Sequence, residues 1–340
     1  MPFLTGRGRR ALALAAAMLA AVSACGLRAQ DAPEKCQWMV VDLSGGPSAE
    51  RYPVRGEMHG PDLSDEACRT TELWLRRIPA GTFRMGSPAG EIGRTSAEAQ
   101  RDVTIAKPFF IGMFEVTQRQ YELVMGVNPS MYKGGARPVE SVSYDDLRGA
   151  RKGAFWPADD GVDGDSFFGR LRSRTSLAFD LPTEAEWEYA CRAGTQTAFS
   201  NGQEISNPLK DPALRRIARY GYDQTDAKGG YSAAHTKVGS YLPNGFGLYD
   251  LHGNVAEWCL DWWTGDLGTA AESDPSGPKS GKYRTVRGGC FSCYIYAGGA
   301  MANRSANRSN YYGYGENTPD RRHEYIGFRV KCRRCRAAAK

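Results

Sequence analysis

The sequence predicts a loop-rich α+β domain with small antiparallel sheets. Turn formers are abundant, with 40 Gly and 18 Pro among 340 residues. Capping-box signatures before residue 200 predict short helices, whereas residues 200–340 form short runs between Gly, Asn and Pro without helical periodicity. No repeat with a period of roughly 20–50 residues is visible, which argues against a solenoid or a propeller.

Two strands are predicted before the first helix. Residues 78–87 are predicted to form a strand with turn formers at both ends, and residues 109–117 a second, buried strand. Three helices are then expected, at residues 117–126, 143–154 and 182–193. The first begins with the capping box Thr117 and Gln120, and the third with Thr183 and Glu186.

The N-terminus has the pattern of a bacterial export signal. Residues 1–24 contain a basic stretch followed by the apolar run 11–22, which is too short for a permanent membrane helix. Cys25 ends a Val-Ser-Ala-Cys sequence that resembles a lipobox, so we expect its lipidation, with ordinary cleavage after Ala29 as the alternative. The mature protein is therefore expected in the cell envelope, anchored in the membrane at the outer surface by its lipid.

The expected organisation has three parts: a lipoprotein signal at 1–24, a tether or cap segment at 25–72, and a main domain at 73–335. The formal net charge of +6 includes three arginines of the leader. The remaining charge is too small to suggest nucleic-acid binding. An unidentified protein or cell-surface molecule is the expected partner.

Eight segments, in order, resemble the formylglycine-generating enzyme (sulfatase-modifying factor) family. The most distinctive are residues 181–190 (LPTEAEWEYA), 252–258 (HGNVAEW) and 326–330 (IGFRV). The others are residues 78–87, Glu115–Thr117 with Tyr121, 137–144, 243–250 and 287–289. Together the segments span residues 73–332, and the resemblance implies a C-type-lectin-like fold of the formylglycine-generating enzyme subtype.

The resemblance also implies a redox site, with one departure. The enzymes bind copper with two cysteines five positions apart and oxidise a substrate cysteine. The first corresponds to Cys293, but the second falls at Gly298. A glycine offers no soft ligand for copper(I). Catalysis through Cys293, with copper, is therefore the alternative hypothesis and not the preferred one.

A second resemblance points to binding. The frame formed by residues 287–289, 304–308 and 326–329 is similar to the variable region of diversity-generating retroelement target proteins, some of which have this lectin-like fold. The resemblance implies that positions within 287–329 vary through adenine substitution, which never yields Lys, Gln, Glu, Met or Trp. Residues 290–299 contain none of these five.

Aromatic and small polar residues are concentrated in this region. Tyrosine gives a large contact area with few rotatable bonds, and Ser and Gly permit close approach, a composition typical of binding surfaces. The alternative is that the tyrosines cover a loop-rich core. The residues predicted to bind the ligand are Cys290, Phe291, Ser292, Cys293, Tyr294, Ile295, Tyr296, Tyr311, Tyr312, Tyr314, His323 and Tyr325.

Four further residues match the positions at which the enzymes bind calcium. They are Asp250, Gly253, Val255 and Glu257. Two carboxylates and two main-chain carbonyls are suitable ligands for this hard cation. The alternative is that both acids are solvated or bonded to the backbone. Separately, Arg304 and Arg308 are expected to bind carboxylates or carbonyls of neighbouring loops.

The preferred hypothesis is thus a surface-displayed ligand-binding protein that uses a diversified C-terminal surface. The first alternative is a formylglycine-generating oxidase, and the second is a structural lipoprotein of the envelope.

Overall fold

The computed structural model describes residues 36–221, 234–293, 298–309, 311–312 and 315–333, with the side chains of residues 311, 312 and 315 excluded. Cys25, Tyr294, Ile295, Tyr296 and Tyr314 lie outside the described residues. In the described part of the chain, no helix is long and apolar enough to cross a bilayer.

The described strands are short, mostly two to five residues long. In chain order they are β1 (Trp38–Asp42), β2 (Val54–Glu57), β3 (Glu72–Ile78), β4 (Gly81–Met85), β5 (Arg101–Ile105), β6 (Phe109–Gly112), β7 (Ala178–Asp180), β8 (Ala256–Trp262), β9 (Glu272–Ser273), β10 (Arg284–Arg287), β11 (Tyr311–Tyr312), β12 (Gly315–Glu316), β13 (Ile326–Gly327) and β14 (Lys331–Arg333). The α-helices are α1 (Ala67–Thr70), α2 (Gln118–Met125), α3 (Tyr144–Arg148), α4 (Phe167–Thr175) and α5 (Glu184–Arg192).

The largest sheet has the order β2-β1-β3-β6-β14-β7, and all of its neighbours are antiparallel. Residues 36–72, which we expected to form a tether or cap, contribute β1, β2 and the start of β3 to this sheet. Val40 and Val41 of β1 are fully buried. Their apolar run, residues 38–41, is only four residues long, so it gives little periodic signal in a segment otherwise rich in Pro, Gly and acids.

Three smaller sheets complete the fold. In the first, β8 lies between β10 and β13. In the second, β5 lies between β4 and β9, and in the third β11 pairs with β12. Most pairs are antiparallel as expected, but β13 with β8 and β5 with β9 are parallel. Because β10 and β13 both pair with β8, they hold the two ends of segment 287–329 on either side of that strand.

The helix starts confirm the predicted caps. Thr117 and Gln120 form a capping box at α2, which ends at Gly126 with φ of +82°. Thr183 and Glu186 form the same arrangement at α5. The helix expected at 143–154 is shorter: α3 ends at Gly149, where φ is +91°, and a separate 3₁₀ turn follows at Gly153–Phe155.

The main core lies between the largest sheet and helices α2, α3 and α4. Phe167 stacks on Tyr121 with ring centroids 5.4 Å apart and contacts Phe328 edge to face at 4.9 Å. Full burial of one such side chain stabilises the fold by about 1.5–3 kcal/mol. Trp187 and Trp258 are also completely buried. The C-terminal segment packs against this core through Cys290, Cys293 and Phe328.

Candidate functional site

The candidate site begins at a double-glycine turn after β10. Gly288 and Gly289 have φ of +98° and +76°. A Cβ on Gly289 would lie 2.2 Å from Oδ1 of Asn303, so only glycine fits. The chain then enters a second turn, in which the amide of Cys293 donates to the carbonyl of Cys290 at 3.0 Å. Two consecutive turns thus direct residues 290–293 into the protein interior, where Cys290, Phe291 and Cys293 are buried.

The two cysteines of the second turn are in contact. Their Sγ atoms lie 3.4 Å apart, and the Cys290 amide lies 3.3 Å from Sγ of Cys293. Both residues are at most 2% exposed. Burial, and then the hydrogen bond with Cys293, raises the pKa of the Cys290 thiol well above its usual range. The thiol form of Cys290 is therefore favoured at neutral pH.

Phe291 lies in a cluster of five aromatic rings, three of which contact it directly. The Phe291 ring meets Tyr132, His235 and Tyr325 at centroid distances of 5.4, 5.6 and 5.4 Å, each in an edge-to-face arrangement. His323 lies against Tyr325 at 4.6 Å. We call these five residues the aromatic cluster. Edge-to-face pairs are each worth about 0.5–1.5 kcal/mol beyond their buried area, so the cluster has a defined geometry.

A buried carboxylate supports one side of the aromatic cluster. Nε2 of His235 lies 3.5 Å from Oε1 of Glu140, at the limit of a hydrogen bond. Burial lowers the pKa of His235, against the attraction of Glu140. Although burial opposes it, contacts from His235, Ser141 and the amide of Tyr132 lower the pKa of Glu140. At neutral pH the site therefore contains a neutral imidazole beside a carboxylate.

The rim of the cluster is polar and partly open. Burial raises the pKa of Tyr325 to about 12, against a hydrogen bond with Ser292. Tyr132, Ser292 and Tyr325 are half-buried, and Met131, next to Tyr132, is 65% exposed. This rim is the accessible part of the described site.

Two arginines fix the loop after the site, as expected. Arg304 pairs with Glu98 and Glu91, and all three side chains are at most 1% exposed. Arg308 pairs with Glu184 at 2.5 and 2.8 Å. Both guanidinium groups are therefore occupied within the fold.

The position of the family's second cysteine is structurally distinct. Gly298 has φ of +84°, a left-handed conformation that other residues adopt at a cost. A Cβ there would meet its nearest neighbour, Cβ of Ala302, at 3.5 Å, which is ordinary contact. The site thus has room for a side chain at 298, but a backbone suited to glycine.

The residues expected to bind calcium surround a buried acidic cluster. Oδ2 of Asp250 accepts from the Gly239 amide at 2.6 Å, while its Oδ1 has no hydrogen-bond partner in the described structure. Glu257 accepts from Trp187 and, through both oxygens, from Arg329. Burial raises the pKa of Asp250 to about 6.

A third carboxylate adds to this cluster. Glu115 accepts from the Val255 amide at 3.1 Å and from Asn254 at 2.8 Å. Burial, and then the charges of Asp250 and Glu257, raises its pKa well above the usual range. Three buried carboxyl groups thus lie near Arg329, and Arg69 also acts on Asp250. The raised pKa of Glu115 favours its protonated form, whereas a bound divalent cation would favour ionised carboxylates as ligands.

The fit to calcium is best at Asp250. Among the described residues, no three His, Cys, Asp or Glu side chains are arranged to hold one metal ion. A calcium site here would therefore rely on main-chain carbonyls, as the predicted set with Gly253 and Val255 does. The carboxylate of Glu257, already bonded by Trp187 and Arg329, would have to share its oxygens with the ion.

The structure brings only part of the predicted binding set together. Cys290, Phe291, Cys293 and His323 are buried, and this differs from the exposure expected for ligand contacts. The cause is the packing of Phe291 into the aromatic cluster, which draws both cysteines inward. These four residues form the buried base of the site, whereas Ser292 and Tyr325 are half-buried and lie at its rim. Tyr311–Tyr312 forms β11, opposite β12, and its side chains are outside the described structure.

Three residues of the site were not predicted from the sequence. Tyr132 and His235 pack against Phe291, and Glu140 contacts His235, yet all three lie far from Phe291 in the chain. Residues 137–144 were noted for their family resemblance, so Glu140 had a signal. Tyr132 and His235 had none, because only the tertiary fold brings them to this position.

Comparisons with known proteins agree on one family. Residues 60–333 match the sulfatase-modifying factor enzyme 1-like domain. A formylglycine-generating enzyme of Mus musculus is 29% identical, and the match covers 83% of this chain and 80% of that protein. A formylglycine-generating enzyme of Thermomonospora curvata is 28% identical, with 74% and 91% covered.

Two solved structures have a similar fold. Treponema denticola variable protein 1 superposes with a TM-score of 0.59 and 26% identity, covering 77% of this chain and 96% of that chain. PvdO from Pseudomonas aeruginosa also gives 0.59 and 26%, with 76% and 94% covered. These similarities confirm the C-type-lectin-like fold of the formylglycine-generating enzyme subtype.

Proposed function

The chain belongs to the sulfatase-modifying factor enzyme 1-like family, and on this basis we propose that it is a ligand-binding protein whose contact surface is the C-terminal loops over the aromatic cluster. The main support is Gly298, which lies where the family's enzymes have their second catalytic cysteine. The similarity to a variable protein of Treponema denticola supports the same role. A fold of this family need not retain the family's chemistry.

The architecture suits a surface that changes in sequence. β10 and β13 hold both ends of segment 287–329 against the single strand β8. The arginines at 304 and 308 pair with acids outside the segment, so these two anchors are held by residues beyond the region proposed to vary. Substitutions at half-buried positions of the segment, such as Ser292, would alter contacts at the surface without opening the core.

Sequencing the DNA beside the gene tests this proposal. We expect a near-copy of codons 287–329 that differs almost only at adenines, together with a reverse-transcriptase gene. Sister strains should differ within residues 290–299 and agree at the anchors Arg304 and Arg308. If the flanking DNA has neither feature and residues 290–299 are identical among strains, diversification is refuted.

The enzymatic alternative has one observation in its favour. Sγ of Cys290, 3.4 Å from Sγ of Cys293, provides the second sulfur that Gly298 lacks. Cys290 and Cys293 would then hold copper(I), which would supply the oxidation of a substrate thiol. The test is aldehyde formation on a sulfatase-type cysteine peptide with copper(I) present. Wild type should be inactive under our proposal, and turnover that disappears in Cys293→Ser would establish the enzyme instead.

A structural role in the envelope is the remaining alternative. It requires one fixed protein partner, recoverable by cross-linking from sister strains with unchanged residues 290–299. Anchoring is common to both non-enzymatic roles: we propose that Cys25 receives the lipid. Replacement of Cys25 by Ser should move the protein from the membrane fraction to the soluble fraction and abolish incorporation of labelled fatty acid.

A further inference from the structure

The turn at residues 290–293 has the geometry from which a disulfide forms. Its i to i+3 hydrogen bond, 3.0 Å long, keeps the two end Cα atoms within about 7 Å of each other. Disulfides span Cα separations of about 4.4–6.8 Å. The Sγ atoms, 3.4 Å apart, already face each other, so a short approach with little backbone movement would bring them to bonding distance.

Other buried thiols of the described chain have different surroundings. Cys68 donates to the carbonyl of Asp65 at 3.1 Å. Cys191 lies 3.6 Å from Nε2 of His252, and Cys259 lies 4.0 Å from the carbonyl of Glu257. Their hydrogen-bonding partners are oxygen or nitrogen atoms, whereas Cys290 and Cys293 contact each other through sulfur.

We propose that Cys290 and Cys293 form an intramolecular disulfide, made by thiol–disulfide exchange with a small-molecule or protein disulfide while the chain folds. One cysteine thiolate attacks the donor disulfide, which gives a mixed disulfide and releases one donor thiolate. The second cysteine thiolate then attacks the protein sulfur of the mixed disulfide, closes the bond and releases the other donor thiolate. The two protein thiols lose two protons and two electrons, and the donor disulfide is reduced to two thiols.

Burial determines when this reaction occurs. Exchange needs a thiolate that can reach the donor, and in the folded protein both residues are almost inaccessible. The bond therefore forms before the loops close over the turn. Once formed, it is shielded from reductants by the same burial.

The disulfide would affect both candidate functions without depending on either. It would fix the conformation of the turn that contains Phe291, and therefore the position of the aromatic cluster relative to the proposed contact surface. It would also consume the two sulfurs available to copper. As a disulfide the pair could not bind copper(I), so the enzymatic alternative requires both cysteines to be reduced.

Peptide mapping of the full chain tests the proposal. The protein is unfolded, reduced and refolded in a glutathione buffer with excess oxidised glutathione, and remaining thiols are then alkylated in denaturant before digestion. Chymotrypsin cleaves after Phe291 and separates the two cysteines. We expect the fragments containing Cys290 and Cys293 to stay joined, with a mass two hydrogens below that of the separate thiol peptides, and to separate on reduction.

Single replacements provide the controls. Cys290→Ser and Cys293→Ser should each abolish the joined species and leave the remaining thiol alkylated or joined to glutathione. Cys259→Ser, at a buried thiol outside the pair, should leave the joined species at the wild-type level. Recovery of both wild-type thiols in alkylated form, or linkage of either to a different cysteine, would overturn the proposal, and this result needs no variant to fold.

Discussion

Arg304 and Glu98 form a bidentate ion pair, with N–O distances of 2.7 and 2.8 Å, across 206 residues of chain. The pair joins the loop that follows the candidate site to the 3₁₀ turn Ser96–Glu98. Glu91 also accepts from Arg304 at 2.6 Å. Since all three groups are buried, the loop after the candidate site is positioned by charge pairs inside the protein.

Breaking this pair should be costly. In Glu98→Gln the Arg304 guanidinium loses its bidentate partner while staying buried, so we expect a loss of about 3 kcal/mol in the free energy of unfolding. Urea denaturation measures it. The matched control is Asp102→Asn, which removes the exposed pair between Arg84 and Asp102 and should cost under about 1 kcal/mol. Equal losses in both variants would contradict the assigned role of burial.

The double-glycine turn offers a second test. Gly289→Ala should destabilise the protein by about 3 kcal/mol or more, because its Cβ would collide with Asn303 in addition to the strain of positive φ. Gly202 also has a positive φ, +78°, but a Cβ there would have no atom within 4 Å. Gly202→Ala therefore measures the backbone strain alone and should lower the free energy of unfolding by about 1–2 kcal/mol. Thermal unfolding of both variants gives the difference, and its absence would show that the turn can relax.

A buried acid of β8 should make stability depend on pH. Burial, and then the charge of Glu184, raises the pKa of Asp261 from 3.8 to about 8. The folded state thus holds this proton more tightly than the unfolded chain, so stability from this group is complete below pH 4 and is lost as pH rises towards 8.

Replacing the acid removes its contribution. Asp261→Asn should gain stability relative to wild type as pH rises from 4 to 8, by a few kcal/mol, since each pKa unit corresponds to about 1.4 kcal/mol. The asparagine oxygen can still accept the Glu184 amide hydrogen bond. Denaturation curves at several pH values measure the difference, and parallel pH profiles for the two proteins would disprove the shift.

Calcium should stabilise the protein through Asp250. If the ion binds at Oδ1, thermal unfolding should shift upward with calcium and downward with a chelator. At a calcium concentration a hundred times Kd the gain is about 2.7 kcal/mol. Asp250→Asn, a residue that tolerates the φ of +60° at this position, should weaken the response, and the exposed Asp102→Asn should retain it. An identical melting curve with and without chelator would exclude the site.

The sequence alone predicted those elements that are determined by interactions between residues close together in the chain. Thr117 with Gln120, three residues apart, predicted the start of α2, and the family resemblance predicted the fold. Helix α4 was not predicted, because its nine residues include Gly169 and four Arg or Ser residues, and its stability comes from Phe167 and Phe168 in the core. Local propensity gives little information about such a helix.

The site itself was predictable only in part. Cys290 and Cys293 are close in sequence, so their proximity could have been expected from their spacing. The burial of Phe291 depends on Tyr132, His235 and Tyr325, which reach it from three different parts of the chain. Such contacts depend on how loops cross one another, which no local pattern encodes.

The place of β14 has a consequence for biosynthesis. Lys331–Arg333 is the most C-terminal strand described, yet it lies between β6 and β7 and is the strand that joins them. A ribosome that stops anywhere before codon 331 therefore releases a product whose principal sheet is split, with two strand edges open to aggregation or proteolysis. Only translation through residues 331–333 yields one continuous six-stranded sheet, so we expect truncated products to aggregate or be degraded more readily than the full chain.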